Sequence, residues 1–442
     1  MTATSMGISL GTCPAVVLLD ANGAMIADAK AADSRASSIM EMLRTVLHEH
    51  EAHRITAVMV AGLGEVSTSR IPIDAEKVGV LRIAGPTTAS VPPMFGWPSP
   101  LARAVGGPGT VVAGGHEYDG SERCNLDTGA VADFAKTCKR LSIKAFSIVG
   151  TNSQSVPTHE SAAATIVRDV VGAHAIITLG GAAGGIGLIE RENVTILDSA
   201  ISARSARVAA EMTHILAALG VDAQIHVVGG DGTLMSVADM ILHPLRVRES
   251  TRAGVIGGIR HEHDLADALV VHASPTHSYV TAITDGLPWE SHRTATMFGV
   301  PTSSTGLWKT RIPQELLEAK LPRLVTRMRS WLGDAPVVSL TSSTTPEPLC
   351  PGPTLTSRLG HVAGALGAAT DFAGGTIDRV YQFGDRTYAE CVAAARADAV
   401  DAAVRAGADP AKIEIVRFRD TPLTYVSSTC VRLRATAMGP LK

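Results

Sequence analysis

The chain has 442 residues, which is enough for two or three domains with a large core. Its net charge of −3 excludes the strongly basic surface that binds nucleic acid or an anionic membrane. The 45% hydrophobic and 4% aromatic content, with 42 glycines, is typical of an α/β protein. There is no apolar run of membrane-spanning length and no basic leader, so we expect a cytoplasmic protein that contacts neither nucleic acid nor membrane.

The N-terminal part of the chain predicts the order β-β-β-α-β. Ala21-Asn22-Gly23 is a turn between two strand-like runs, and Ser34 is a candidate N-cap for a helix. In that helix, Ile39, Leu43 and Leu47 recur every four residues. The four strands are predicted at 6–10, 15–20, 24–28 and 55–60.

An α/β insert and a looser repeat of the first order follow. In the insert, helices are predicted at 131–141, 160–171 and about 200–219, and strands at 145–149 and 175–179. The repeat has strands at 268–271 and 279–284, a helical stretch at 313–332 and a strand at 337–340. Residues 341–356 are predicted as a loop. The C-terminal segment is predicted to contain a helix at 388–405, a strand at 413–418 and a last strand around Leu433 in which apolar and polar residues alternate.

Two similar halves of this kind predict a duplicated actin-like (ribonuclease-H-like, ASKHA) α/β fold with an α/β insert and a cleft between two lobes. The predicted domains are an N-terminal lobe with the insert (1–178), a second lobe (179–356) and a C-terminal α/β segment that completes the fold (357–442).

The strand–turn–strand segment from Asp267 to Pro288 lies at the centre of the second half. A turn that binds phosphate normally carries glycines, so that backbone N–H groups approach the phosphate oxygens. This turn has Ser274 and Pro275 instead, and proline also removes a donor. The segment therefore has the shape of a phosphate loop without its chemistry.

Histidines are enriched around this segment. They lie at positions 261, 263, 272, 277 and 292. His272 and His277 flank the turn, so strand pairing would place their rings near each other, and they are the only candidates for a metal or small-anion site. The preferred interpretation is that they are solvated turn residues and that the chain binds no metal.

Several sequence blocks resemble the hydantoinase/oxoprolinase family, in particular its A-type subunit as found in ATP-dependent N-methylhydantoinase and acetone carboxylase. The blocks occur in the family's order and spacing, and they cover nearly the whole chain. They are Leu81–Thr88, Gly96-Trp97-Pro98, Gly114–Gly120, Gly187–Asn193, Asp231–Met235, Ala406–Pro410 and Pro422–Tyr425.

The resemblance implies an actin-like ATPase fold that activates a cyclic amide or a ketone beside a B-type subunit. It also implies an Asp-x-Gly-Gly-Thr-type phosphate loop in each half, and this chain departs from both. In the first loop Ile8 and Ala15 replace aspartates, although Gly11 and Thr12 remain. In the second loop His272 and Tyr279 replace aspartates and Ser274 and Pro275 replace glycines, although Thr276 remains. Glu249-Ser250-Thr251 replaces a third, Ser-Gly-Pro block.

Mg²⁺–ATP requires carboxylate oxygens for the metal and N–H donors for the phosphates. Their parallel loss predicts no cofactor: ATP and Mg²⁺ are not expected to bind. The first functional hypothesis is a pseudoenzyme that scaffolds or regulates a hetero-oligomer with a B-type subunit, or that forms a homo-oligomer. The alternative is an active hydrolase or carboxylase with a rebuilt site, acting on a cyclic amide or ketone.

Two retained polar segments are candidates for residues lining the cleft. The first is Glu190, Arg191, Glu192 and Asn193, and the second is Asp231, Gly232 and Thr233. The first segment is equally consistent with a structural network of salt bridges and caps. The second also resembles the phosphate loop of lipid and NAD kinases, but its flanking residues favour a simple turn.

Overall fold

The computed structural model describes residues 3–48, 50–68, 71, 73–273, 276–340, 352–370, 372–384, 386–423 and 430–442. Within these residues the chain is a mixed α/β structure whose strands form four sheets. Strands and helices are numbered in chain order. Among the described residues, no helix has the length and apolar character needed to cross a membrane.

The largest sheet contains the N-terminal strands. Its nine strands, from one edge to the other, are β20 (Glu414–Pro422), β21 (Cys430–Gly439), β19 (Ala373–Gln382), β10 (Leu234–Ser236), β9 (Gln224–Val228), β4 (Ala57–Ala61), β1 (Ala3–Ser9), β2 (Ala15–Asp20) and β3 (Met25–Lys30). β1, β2 and β3 are antiparallel neighbours, whereas β4 lies parallel to β1. With helix α1 (Ala36–Leu47) before β4, the predicted order β-β-β-α-β is confirmed.

A second sheet repeats this connectivity. It consists of β13 (Leu287–Pro288), β12 (His277–Thr284), β11 (Ala268–Ala273), β17 (Val337–Leu340) and β18 (Thr354–Thr356), with β16 (Lys309–Pro313) on β12. β11, β12 and β16 are antiparallel neighbours, helix α9 (Leu317–Leu332) follows, and β17 lies parallel to β11. The order and the strand pairing of these five elements therefore match those of β1, β2, β3, α1 and β4.

Three predictions in this half need correction. The helix predicted from 313 begins at Leu317, because Pro313 still pairs with His277 as the end of β16. A separate hairpin of β14 (Glu290–Met297) and β15 (Val300–Leu307) was not predicted. The predicted loop at 341–356 ends in strand β18, and its residues 341–351 lie outside the described chain.

The insert is a four-stranded parallel sheet. Its order is β6 (Gly106–Val112), β5 (Val78–Ile83), β7 (Ala145–Gly150) and β8 (Ile176–Leu179). Helices α4 (Thr128–Arg140) and α5 (Thr158–Val171) cover one face, and α6 (Leu188–Ala218) covers the other. The two central strands, β5 and β7, are buried along their whole length and consist mainly of apolar residues. The helices and strands predicted from 131 to 179 are confirmed.

Helix α6 was predicted from about Ala200, but it begins at Leu188 and has 31 residues. Every residue from Arg191 to Ser202 is buried, including charged ones. A helix surrounded by protein has no polar face, so the apolar stripe that marks a surface helix is missing there. The hydrophobic pattern becomes visible only in the C-terminal half.

Two glycine-rich helices join the nine-stranded and six-stranded sheets. Helix α8 (Ser250–His263) packs on the six-stranded sheet, and α10 (Ala363–Thr370) packs on β1 and β2. The two helix backbones are in direct contact: a Cβ on Gly367 would lie 1.7 Å from the carbonyl oxygen of Gly254. The small residues at this crossing therefore set the distance between the sheets.

The remaining helices are α2 (Leu63–Thr68), α3 (Ser99–Val105), α7 (Val237–Leu242) and α11 (Tyr388–Ala406). Helix α11 begins with a capping box between Thr387 and Glu390 and ends at Gly407, as predicted. Its buried alanines pack against β19 and β21. Val431, Leu433 and Ala435 of β21 are buried, which confirms the predicted alternation.

Candidate functional site

The turn between β1 and β2 and the hairpin of β11 and β12 both lie against the N-terminal end of α8, at Thr251 and Arg252 respectively. Ile8 and Ala15, at the positions where the family resemblance implies aspartates, are fully buried. Ile8 belongs to the apolar core that contains Val16 and Val60. Neither side chain offers an oxygen to a metal ion.

Gly11 and Thr12 lie in the turn between β1 and β2. The turn packs directly on α8, since a Cβ on Gly11 would lie 2.6 Å from Cγ2 of Thr251. Thr12 is exposed. The turn between β1 and β2 is thus packed against α8.

A carboxylate occupies the N-terminus of α8. Glu65 of α2 accepts hydrogen bonds from the Ser250 hydroxyl (2.8 Å) and the Thr251 backbone N–H (3.0 Å). The Ser250 oxygen in turn accepts one from the Gly62 N–H at 2.9 Å, and Ser250 is fully buried. Two first-turn N–H groups of α8, which are free to bind an anion in other helices, are therefore already bonded: that of Thr251 to Glu65 and that of Arg252 to the Glu249 carbonyl.

Glu249, immediately before α8, forms ion pairs with Arg252 and Lys309. Burial acts to raise the pKa of Glu249, but the positive charges of Arg252, Lys309 and Arg248 outweigh it, so the pKa is lowered. The Glu249 carboxylate is thus ionised one residue before the start of α8. The guanidinium of Arg252 also lies over the ring of Tyr279, 4.4 Å from its centroid.

His272, His277 and Tyr279 share one face of the hairpin of β11 and β12. His272 is directly opposite Tyr279, and the rings of His277 and Tyr279 are 4.7 Å apart. Nδ1 of His277 lies 2.8 Å from the hydroxyl of Thr276 and 3.4 Å from the guanidinium of Arg311. Ser274 lies outside the described residues.

The charges around this histidine pair oppose a metal ion. Surrounding protein atoms, followed by Arg252 and His277, lower the pKa of His272 even though the ring keeps contact with solvent. Two guanidinium groups, those of Arg252 and Arg311, lie beside the rings and would repel a cation. The electrostatics of the hairpin therefore suit a small anion better than a metal.

The first group of cleft candidates lies within helix α6, and three of its four members are buried. Glu192 accepts two hydrogen bonds from Arg82, at 2.6 and 2.7 Å. Asn193 accepts one from the indole of Trp97 and donates one to the carbonyl of Pro301. Glu190 is half-buried. These contacts correspond to the structural network that was the alternative interpretation.

Arg191 belongs to the same buried network. It donates to the Ser153 hydroxyl (2.9 Å) and to the Gly150 carbonyl (2.9 Å). Burial lowers its pKa, opposed by the carboxylate of Glu160, and burial raises the pKa of Glu160, opposed by Arg191. Arg191 and Glu160 thus stabilise each other's charge at the end of β7.

Asp231, Gly232 and Thr233 form the turn between β9 and β10. Asp231 Oδ1 accepts hydrogen bonds from the Thr233 N–H (3.1 Å) and hydroxyl (2.9 Å). Gly232 packs against Pro288, where a Cβ would lie 2.4 Å from the proline ring. The carboxylate is held within its own turn, as in the simple turn that the sequence favours.

One cluster was missed by sequence reasoning. His116, Glu122 and His159 lie at the carboxyl end of the parallel sheet, and their ligand atoms are within 4.8 Å of one another. His116 follows β6 and His159 begins α5, so only the tertiary fold brings them together. Burial, followed by the charge of His159, lowers the pKa of His116, while Glu122 opposes the shift.

Two imidazoles and a carboxylate are a donor set that transition metals accept, but the hydrogen bonding here disfavours a metal. The Gly115 N–H donates to Nδ1 of His159 at 2.9 Å, so the proton of the neutral ring sits on Nε2. A metal on Nε2 would require the proton on Nδ1, opposite the Gly115 N–H. Two donors would then face each other.

No family model matches the chain, and no curated protein matches it. Solved structures that are similar to it include two enzymes. The ATP-dependent caprolactamase from Pseudomonas jessenii has a TM-score of 0.73 at 12% identity, covering 99% of this chain and 88% of its own. The nucleotide-free structure of an acetone carboxylase has a TM-score of 0.64 at 12% identity, covering 100% of this chain and 88% of its own. At this identity the comparisons show a common fold.

Proposed function

We propose that this chain is a hydantoinase/oxoprolinase-like A-type subunit that has lost ATP hydrolysis and acts as a binding, scaffold or regulatory subunit of a hetero-oligomer. The fold shared with the caprolactamase and the acetone carboxylase supports the family assignment. The β-β-β-α-β unit repeated on either side of the α8–α10 crossing supports a duplicated actin-like arrangement.

The carboxylate of Glu65 at the N-terminus of α8 is the observation that carries this proposal. A phosphate at a helix N-terminus is stabilised by free N–H donors and by the positive end of the helix dipole. Here Glu65 accepts from both Ser250 and Thr251, and it supplies the negative charge itself. A phosphate would have to displace Glu65 or lie near two carboxylates, those of Glu65 and Glu249.

The positions that would anchor Mg²⁺ support the same conclusion. Ile8 and Ala15 are fully buried and apolar, and His272 and Tyr279 stand in the other loop. A magnesium ion prefers oxygen ligands in octahedral geometry and loses its water reluctantly. The residues present do not fit Mg²⁺–ATP.

We expect isothermal titration of the purified protein with Mg²⁺–ATP to show no binding heat. The variant Glu65→Ser removes the competing carboxylate but restores no metal ligand, so we expect it to show none either. A dissociation constant in the micromolar range for the wild type would contradict the proposal. Binding by Glu65→Ser alone would show that Glu65 blocks an otherwise intact site.

We also expect the protein to reside in an assembly. Without nucleotide chemistry, association with a B-type subunit is the role that remains for an A-type chain. Light scattering of the complex purified from its native source should give a mass well above the 45.9 kDa of the chain. A monomer of that mass, with no second chain in a pull-down, would contradict a scaffold role.

A further inference from the structure

A hairpin covers the carboxyl end of the four-stranded parallel sheet. We call residues 114–123 the lid; His116 and Glu122 pair across it in an antiparallel bridge. The lid backbone is bonded to the loop after β7, because the His116 N–H donates to the Thr151 carbonyl and the Asn152 amide donates to the Glu117 carbonyl. Its tip, Gly120, lies against Gln382 of β19. The lid therefore joins the insert to the nine-stranded sheet.

Polar atoms lie beneath the lid. Thr151 Oγ1 and Asn152 Oδ1, on two residues that contact the lid, are buried oxygens without a hydrogen-bond partner among the described residues. They follow β7, next to β5, where the strand order of the sheet reverses, and open α/β sheets bind ligands at such a point. Gly115 closes over Thr151, since a Cβ there would lie 1.9 Å from its hydroxyl oxygen. Opening the lid would expose these acceptors.

His159 of α5 holds the lid by a single hydrogen bond. The Gly115 N–H donates to its Nδ1 at 2.9 Å, and its Nε2 points toward Glu122 Oε1 at 3.4 Å. The ring lies against that of His116, with 4.5 Å between centroids, and both residues are less than 9% exposed. Only the ring form that is unprotonated on Nδ1 can accept the bond from Gly115.

We propose that the lid is controlled by a proton: it is closed while His159 is neutral and is released when Nδ1 of His159 takes up a proton. The added N–H would face the Gly115 N–H, so the bond is lost and two buried donors are left opposed. The positive charge on His159 would also lie next to the imidazole of His116, whose ring centroid is 4.5 Å away. Both effects favour the open lid.

The other charged groups near the His159 ring do not reverse the effect of its protonation. Glu122 favours the protonated ring, but its side chain is 53% exposed and its field is screened by solvent. Glu117 and Arg123 pair with each other at 3.3 Å on the lid. On α5, Glu160 is bonded to the Gly150 and Gly181 N–H groups and faces Arg191 rather than the lid.

The direction of the pH dependence follows from this linkage. The closed lid binds the neutral ring, so its stability is greatest at alkaline pH and is lost as the pH falls. The lowered pKa of His116, caused mainly by burial, acts in the same direction, because a closed lid also prefers that ring neutral. Acid opens the lid, and base closes it.

Hydrogen exchange of the backbone amides of residues 114–123, corrected for intrinsic rates, tests the proposal between about pH 7.5 and pH 5.5. We expect protection in the wild type to fall by up to about tenfold per pH unit across this range. In His159→Asn the side-chain oxygen accepts from Gly115 and does not titrate, so protection should fall clearly less than in the wild type, with only the contribution of His116 remaining. His174→Asn, at an exposed histidine, is the matched control and should behave like the wild type.

A second variant changes a residue that is not buried, so its result does not depend on whether a buried substitution disturbs folding. Glu122→Gln, at a half-exposed position, removes the charge that favours the protonated ring in the closed lid. It should therefore lose more protection than the wild type at about pH 5.5. Constant protection in the wild type, acid release in His159→Asn as large as in the wild type, or less release in Glu122→Gln would each overturn the proposal. So would added Zn²⁺ that raises lid protection at neutral pH, because it would show a metal site instead.

Discussion

Replacing Arg82 with methionine is expected to lower the free energy of unfolding by about 3–5 kcal/mol. Arg82 and Glu192 are both completely buried, and two hydrogen bonds of 2.6 and 2.7 Å join them. Arg82 also donates to the carbonyls of Thr88 and Val91, each at 2.7 Å. The variant leaves a buried carboxylate without a countercharge and two carbonyls without a donor, which is the costly way to break such a pair.

Urea unfolding followed by circular dichroism measures this loss. The double variant Arg82→Met, Glu192→Met removes both charges and should recover the part of the loss that comes from the unpaired carboxylate, because an apolar pair often replaces a buried ion pair at little cost. The carbonyls of Thr88 and Val91 still lack their donor. Arg35→Met is the surface control: Arg35 pairs with Asp33 but is 78% exposed, so the loss should stay below about 1 kcal/mol. A double variant no more stable than Arg82→Met would refute the buried-charge explanation.

Gly367→Ala is expected to destabilise the protein by about 3 kcal/mol. The new methyl group would lie 1.7 Å from the Gly254 carbonyl oxygen and 2.5 Å from the Gly258 nitrogen. Both contacts are backbone atoms of α8, which cannot rotate away as a side chain does. Helices α8 and α10 must separate, and the contact between the two large sheets opens with them.

Gly129→Ala in α4 is the matched control, since its methyl group would meet only the Asp127 carboxylate at 3.4 Å. Alanine favours a helix over glycine by up to about 1 kcal/mol, so this variant should be neutral or more stable. Thermal unfolding of both variants decides between a local contact and a general effect of alanine. Equal melting temperatures for the two would contradict close packing at the crossing.

Elements marked by local sequence pattern were predicted correctly. Strand β2 is a run of six buried residues, and α1 places Ile39 and Leu43 on one buried face. The start of α6 was missed because its polar residues are satisfied inside the protein, and no local pattern distinguishes them from surface residues. Strand β14, Glu-Ser-His-Arg-Thr-Ala-Thr-Met, lacks the apolar alternation of a half-buried strand.

Contacts between distant parts of the chain explain what the sequence did not predict about the site. The loss of carboxylates at positions 8 and 15 is visible in the sequence. The carboxylate that occupies the N-terminus of α8 is not, because Glu65 and Ser250 are 185 residues apart. The bond from Gly115 to His159 likewise spans 44 residues. Such pairs become apparent only when the fold brings their elements together.

Helix α6 also determines how the molecule unfolds. At 1.5 Å per residue its 31 residues span about 46 Å. Ile196 and Ile201 belong to the core of the four-stranded sheet, whereas Met212 and Leu216, further along the same helix, belong to the core of the nine-stranded sheet. Neither core can lose this helix without exposing apolar surface in the other. The insert and the large sheet therefore form one cooperative unit in which local unfolding cannot stop between them.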